Sequence, residues 1–359
     1  MLAERHAART AMKRHGNLFA RIVEPDNLHR AWILAKDNKS SFQSVKKFSL
    51  DVEGNLSRIR QRLIDKTFTT SRYSSKVVYE PKQRTIYVLP FCPDRVVQHA
   101  LMNVLIPIWQ PMFIRDSYAC ITGRGQHAGS RRTMEFVRRN RYCLKCDVHH
   151  FYVSVVHDIL YEMIERKIKC PDTLWLIRDI VYSFPGGKNV PIGNLTSQWF
   201  GNYYLTALDR FVKERLHVAD YVRYCDDFIL FGNDKKQLNE FSKAIVDFLA
   251  ERLQLTLSKC DLFPVSRGVD FLGYRHFPDY ILLRKSTAKR IARRLRELPG
   301  RLEAGLIEPE RARSVLASAA GWAKWANTYN FRQAVHLDDL VEMVNGRCRE
   351  RAAEEAAAV

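Results

Sequence analysis

A chain of 359 residues with 46% hydrophobic content is long enough for two or three packed subdomains, which excludes a disordered chain or one small domain as the starting description. Its formal net charge of +19, from 58 Lys and Arg against 39 Asp and Glu, calls for a polyanionic partner, nucleic acid ahead of an acidic membrane. Residues 1–21 carry Arg5, Arg9, Lys13, Arg14 and Arg21 without a continuous apolar stretch, so no secretory signal is read there, and the absence of any run of about 18 apolar residues predicts no membrane span.

In chain order, residues 1–45 read as a helical, basic and peripheral extension. Val77-Val78-Tyr79 and Thr85-Ile86-Tyr87-Val88-Leu89 read as two strands around a Pro81-Lys82-Gln83-Arg84 turn. Asp94 to Ile108 reads as a helix, with Asp94 as a candidate cap and Val96, Val97, Leu101, Val104, Leu105 and Ile108 as its apolar stripe. Tyr142 to Val148 reads as a short apolar strand that carries Asp147 near its end. His157 to Lys169 reads as an amphipathic helix, Leu174 to Tyr182 as a second, Pro185-Gly186-Gly187 as a loop, and Leu195 to Leu216 as one long, mostly buried helix. Tyr221-Val222-Arg223 and Phe228-Ile229-Leu230-Phe231 flank Tyr224-Cys225-Asp226-Asp227, a hairpin with carboxylates at its bend. Lys236 to Arg252 reads as helix, Gly268 to Tyr274 and Tyr280 to Leu283 as short strands, and Ser286 to about Arg347 as helix throughout, before an alanine-rich tail. This mixture predicts an α+β centre with a helical module appended.

The eight cysteines are scattered through the chain, so reduced thiols and a cytoplasmic location are expected rather than a disulfide framework. Cys143-x-x-Cys146 has the spacing of half a zinc site, but no second such pair accompanies it, and zinc is disfavoured.

Two adjacent carboxylates at a bend repel each other, and a divalent cation between them lowers that cost. A solvated Asp-Asp turn is the ordinary alternative. A third carboxylate, Asp147, follows the apolar run Leu144-Lys145-Cys146. Phosphoryl transfer with two metal ions about 3.5–4 Å apart uses one to activate the attacking hydroxyl and one to steady the leaving pyrophosphate. Carboxylates from two strands can hold such a pair, although spacing in sequence does not prove that residues 147 and 226 meet.

Tyr224-Cys225-Asp226-Asp227 resembles the Tyr-x-Asp-Asp box of reverse transcriptases. Lys145-Cys146-Asp147 followed by Phe151-Tyr152-x-Ser154-Val155 resembles their first palm motif. Leu255-Thr256-Leu257-Ser258-x-x-x-Asp261 with Lys259, and then Val269-Asp270-Phe271-Leu272-Gly273-Tyr274, resemble the two motifs that follow the box. The order and spacings fit over roughly residues 75 to 345. The resemblance implies an α+β right-hand polymerase fold: fingers over 46–135 with a contribution from 155–195, a palm with an antiparallel sheet over 136–284, a helical thumb over 285–347, and a disordered tail over 348–359. It implies that Asp147, Asp226 and the Val148 carbonyl hold two Mg2+ ions, for which Mn2+ can substitute, with Asp227 in support. Tyr152 would lie under the sugar of the incoming deoxynucleotide and exclude a 2′-hydroxyl. Arg84 would grip the triphosphate through bidentate contacts. Ile192, Gly193, Gln198 and Lys259 would line the rest of the nucleotide site. Template and primer would meet Arg131, Arg132, Arg138, Arg139, Gly273, Lys289, Arg290, Arg293 and Arg294.

The segment Val190-Pro191-Ile192-Gly193-Asn194-Leu195-Thr196-Ser197-Gln198 departs from the Gln-Gly and Ser-Pro pattern of most reverse transcriptases. It is similar to that of the enzymes of diversity-generating retroelements, as are Tyr118-Ala119-Cys120 with Gly123-x-Gly125-x-His127-Ala128, and Gly321-Trp322-Ala323-Lys324-Trp325-Ala326-Asn327-Thr328. That similarity implies copying of a structured template-repeat RNA into cDNA with errors opposite adenine, a small basic accessory variability protein as partner, and no endonuclease or ribonuclease domain. His149-His150 departs from the usual residues after Asp147, and the pair reads as partly exposed bystanders. Lys285, Lys289, Arg290, Arg293, Arg294, Arg296 and Arg301 recur at helical spacing, as a face tracking a nucleic-acid backbone would require. Trp322 and Trp325 read as core of the same module. A retron-like or phage-defence reverse transcriptase stays open as an alternative, as does an inert RNA-binding scaffold, against which the three intact carboxylates argue.

Overall fold

A computed structural model describes residues 13–79 and 83–357. Pro81 and Lys82 of the expected turn, residues 1–12 and the last two residues of the tail lie outside the described residues. The described residues open with α1 (Phe19–Ile22), α2 (Pro25–Lys36), α3 (Gln43–Ser49) and α4 (Val52–Ile64). Pro25 opens α2, where its missing N–H costs nothing, and the Asp51 carboxylate caps α4 by accepting from Gly54 N at 2.9 Å. A hairpin of β1 (Ser74–Val78) and β2 (Arg84–Val88) leads into α5 (Val96–Trp109), which is apolar on nearly every side and buried accordingly. Leu28, Ala31 and Ala35 of α2 are buried against α5, so this part of the N-terminal region belongs to the main core and is not peripheral. Its small alanines permit close helix approach, while its charges stay on the outer face. Asp94 does not cap α5; its Oδ1 accepts from Ser71 N at 2.9 Å and ties the lead-in of β1 to the helix start.

The middle of the chain runs α6 (Gln126–Arg139), β3 (Tyr142–Val148), α7 (Phe151–Ser154), α8 (His157–Glu165), α9 (Pro171–Tyr182), α10 (Leu195–Tyr204) and α11 (Thr206–Arg210). The long helix expected over 195–216 is broken at Leu205. There the Thr206 hydroxyl donates to Tyr203 O at 2.6 Å, competing with the backbone for that carbonyl. Then follow β4 (Tyr221–Tyr224), β5 (Asp227–Gly232), α12 (Lys235–Leu253) and β6 (Leu257–Pro264).

The four strands form one antiparallel sheet in the order β4-β5-β3-β6. Side chains alternate across it. Leu144, Cys146, Phe228 and Leu230 enter the large core shared with the N-terminal helices and α12, whereas Cys143, Ile229 and Phe231 enter a second core with Phe136 and Val137 of α6 and Phe271. Cys143 and Cys146 therefore leave β3 on opposite faces, a placement that cannot chelate one ion.

A smaller sheet, β7 (Val269–Phe271), β8 (Tyr274–His276) and β9 (Ile281–Leu283), joins this centre to α13 (Lys285–Glu303), α14 (Pro309–Ala323), α15 (Tyr329–Ala334) and α16 (Leu337–Ala357). These helices have their own core, including Ile291, Leu295, Leu298, Leu316 and Val344. The tail expected to be disordered from residue 348 instead continues α16 to Ala357. Alanine and glutamate favour helix, and Arg351 pairs with Glu308 and with Glu355 at 3.0 Å.

Candidate active site

The bend between β4 and β5 is closed by the pair Tyr224 and Asp227, leaving Cys225 and Asp226 at its tip. Cys225 adopts a left-handed backbone (φ 54°), which turns the chain within two residues. Antiparallel pairing of β3 with β5 sets Asp147 directly opposite Asp227, where side chains about 4.5–5.5 Å apart at Cβ face each other. On its other edge β3 pairs with β6, and the register shifts between Asp147 and Val148. A bulge at that point re-aims the end of the strand. Ser258 Oγ donates to Asp147 Oδ2 at 2.6 Å, and Val148 N donates to Asp226 O at 3.4 Å. The three carboxylates thus meet at one end of the sheet.

Their electrostatics are mutually unfavourable. Burial pushes the Asp226 carboxyl up, the Asp147 charge adds to the shift, and Arg84 opposes it. Burial likewise raises Asp227 to about 6, with Asp147 and Asp226 contributing and Lys145 opposing at 3.4 Å. Asp227 Oδ1 is buried and has no hydrogen-bond partner among the described residues. An orphaned carboxylate oxygen among like charges is a position that a divalent cation such as Mg2+ would satisfy. Among the described residues no three or more His, Cys, Asp or Glu side chains are placed so that together they could hold a metal ion. An open carboxylate edge suits an ion that completes its octahedron with water and substrate phosphates.

Tyr152 lies behind the bend, its hydroxyl 3.9 Å from Cys225 Sγ, and burial pushes its pKa far up. Val190 N donates to Tyr152 O at 2.9 Å, and Ile192 O accepts from Tyr87 N of β2 at 3.0 Å. The segment 190–193 therefore bridges Tyr152 and the hairpin that bears Arg84. Gly193 is required in that bridge: its φ is 121°, and a Cβ there would lie 2.6 Å from Tyr87 O. Gln198 is exposed on α10, and exposed Lys259 stands opposite Asp147 in the register of β6. His149 and His150 are exposed, edge to face at 4.2 Å.

The expected basic surface is only partly realised. Arg132 is held by Asp116 at 2.8 Å and Glu135 at 2.5 Å, and Arg139 is paired with Asp220. Glu135 lies one turn along the same helix, but Asp116 and Asp220 come from distant chain positions that spacing could not reveal, so Arg132 and Arg139 first serve to fix α6. Arg138 donates to Pro278 O at 3.3 Å, and Arg131 lies 5.1 Å over the Trp325 ring. Trp325 in turn stacks on His127 at 5.0 Å, so it joins α6 to the C-terminal helices rather than filling their core. Gly273 (φ 81°) leaves no room for a Cβ, which would lie 2.6 Å from Trp322. Lys289, Arg293 and Arg294 are exposed on α13, and Arg290 is half-buried.

One group behind the bend escaped the sequence reading. Arg223 is wholly buried and paired with buried Asp209 at 2.6 Å, and its Nη1 donates to Cys225 O at 3.0 Å. An arginine inside an otherwise apolar strand beside the carboxylate box was the available signal.

The chain is similar in sequence to known proteins over this region. The family described as Reverse transcriptase (RNA-dependent DNA polymerase) matches residues 75–276. Nuclear intron maturase 4, mitochondrial, of Arabidopsis thaliana is 22% identical over 197 residues, covering 52% of this chain and 24% of that protein. Protein YkfC of Escherichia coli (strain K12) is 23% identical over 234 residues, covering 52% of this chain and 61% of that protein. An uncharacterized 91 kDa protein in the cob intron of Schizosaccharomyces pombe is 27% identical over 136 residues, covering 36% and 17% respectively. The chain spans less than two thirds of the length of each.

Proposed function

Because the chain belongs to the reverse transcriptase (RNA-dependent DNA polymerase) family, we propose that it is an RNA-directed DNA polymerase whose reaction site is the carboxylate bend. The observation that carries this reading is the cross-strand pairing of Asp147 with Asp227 beside Asp226, with Asp227 Oδ1 left unsatisfied. Asp147, Asp226 and the Val148 carbonyl would hold two Mg2+ ions, supported by Asp227. Those ions, when bound, supply activation of the primer 3′-hydroxyl and neutralisation of the departing pyrophosphate. Ser258 holds the Asp147 carboxylate in orientation, and Lys145 restrains Asp227. Arg84, whose charge already reaches Asp226, would meet the triphosphate, Tyr152 would close the sugar side, and Lys259 would flank the nucleotide. The exposed cations of α13, with Arg131 and Arg138, would act as the template–primer face of a thumb, binding phosphates without regard to sequence.

The finer reading is a diversity-generating enzyme that copies a template-repeat RNA with errors opposite adenine, alongside a small basic accessory protein. Ile192 and Gln198 support it: Ile192 offers shape and apolar contact where a glutamine would hydrogen-bond, and it sits in the bridge between Tyr152 and β2.

Primer extension on an RNA template in Mg2+ tests the first reading. Asp147→Asn and Asp226→Asn should each lower extension on the order of 1000-fold while retaining the wild-type circular dichroism spectrum. Wild-type rates in either variant would overturn the assignment.

A further inference from the structure

A cysteine immediately precedes each of two carboxylate positions: Cys146 before Asp147, and Cys225 before Asp226. Cys146 has a second thiol beside it. Cys260 of β6 stands directly opposite it in the antiparallel register, and the two Sγ atoms are 3.3 Å apart. Directly opposed residues in an antiparallel pair have Cα atoms about 4.5–5.5 Å apart, inside the range a disulfide spans. No strand has to slide for the two sulfurs to bond. Cys146 is fully buried, whereas Cys260 is half-exposed and has Ser242 Oγ 3.0 Å from its sulfur. Hydrogen bonding from Cys146 lowers the Cys260 thiol to about 6, with Ser242 contributing and burial opposing.

We propose that Cys260 and Cys146 form an oxidation site for hydroperoxides, whose disulfide re-aims Asp147 and switches off extension. The Cys260 thiolate attacks the terminal peroxide oxygen and the O–O bond breaks. This gives a sulfenic acid on Cys260 and an alkoxide, or hydroxide from hydrogen peroxide, which is then protonated. Cys146 Sγ next attacks the sulfenic sulfur. The S–S bond forms, the S–O bond breaks, and the departing hydroxide takes the Cys146 proton as water. Two thiols are oxidised and one peroxide is reduced.

The sulfurs close from 3.3 Å to about 2.05 Å. That contraction falls on the residue pair next to the bulge at Asp147 and Val148, two residues from Ser258, which orients Asp147. A catalytic group misplaced by on the order of 1 Å can cost about 100-fold in rate. Only the loss of extension rests on the polymerase reading; the crosslink does not.

The test treats the full-length protein with hydrogen peroxide, then maps peptides without reduction and measures extension before and after dithiothreitol. Expected are a Cys146–Cys260 linked peptide and an extension loss on the order of 100-fold that dithiothreitol reverses. Cys260→Ser and Cys146→Ser should each yield no such peptide, and Cys260→Ser should keep its extension through peroxide. A crosslink elsewhere, such as Cys120–Cys225, in place of this one overturns the proposal. So does a linked wild-type protein of undiminished activity, or an equal peroxide loss in Cys260→Ser. A reduced wild type that extends no primer contradicts the polymerase reading instead, and the peptide map still decides the crosslink.

Discussion

Removing the charge of Arg223 should loosen the carboxylate bend from behind. Its guanidinium and the Asp209 carboxylate are 0% and 1% exposed and meet through two parallel bonds, Nε to Oδ1 at 2.8 Å and Nη2 to Oδ2 at 2.6 Å. Nη1 also donates to Asn202 Oδ1 at 3.1 Å and to the Cys225 carbonyl at 3.0 Å, and Tyr221 donates to Asp209 Oδ1 at 2.9 Å. Arg223→Met keeps most of the volume but leaves Asp209 buried with only the tyrosine. Breaking one side of a buried pair costs about 3–5 kcal/mol, because an uncompensated charge stays in a medium that cannot solvate it. Spread over the unfolding entropy of a 359-residue chain, this is a fall of about 5 °C in Tm. The double variant Asp209→Leu, Arg223→Met removes the orphaned charge and should regain at least about 1 kcal/mol, without full recovery because the Cys225 carbonyl stays short of a donor. Thermal and urea unfolding of the three proteins measures this directly. An Arg223→Met stability within about 0.5 kcal/mol of wild type, or a double variant weaker than the single, would refute the reasoning.

Tyr152→Ala should raise ribonucleotide over deoxynucleotide incorporation by about tenfold or more in competitive extension, and an unchanged ratio would return this ring to a packing role. Ile192→Gln should reduce errors opposite adenine when cDNA from one mixed-sequence RNA is sequenced with the natural partners present; an unaltered error spectrum, or a wild type that copies adenine as faithfully as the other bases, counts against the finer reading. His276 accepts from Ser130 at 2.8 Å and faces Val269 O at 3.1 Å, and burial lowers its pKa to about 4. The unfolded chain, at about 6.5, therefore binds a proton that the folded one refuses, so this group's stability is present above pH 6.5 and lost as pH falls toward 4, by about 3 kcal/mol in all. His276→Gln should flatten the stability profile between pH 6.5 and 4.5, and parallel profiles would show that other groups carry the acid sensitivity.

How much was legible depended on how local the cause was. The hairpin around Asp226 and Asp227 could be read because a two-residue bend between apolar runs is decided by its own residues, as was the apolar stripe of α5. The helices after Lys285 were equally plain from their spacing. Several elements went unread as elements, among them α4, α6, whose arginines stood out only as expected template–primer contacts, and β6, whose polar residues mask its alternation.

What only the tertiary structure decided was which distant residues met. The register of β3 against β5 put Asp147 opposite Asp227, and pairing with β6 put Cys260 opposite Cys146. Asp116 and Asp220 claimed Arg132 and Arg139, and α5 buried α2. Periodicity reports which face of an element is apolar, whereas strand register and ion pairing depend on how separate faces fit together. A shift of one residue between β3 and β5 would send Asp147 to the other side of the sheet with no change in the sequence of either strand.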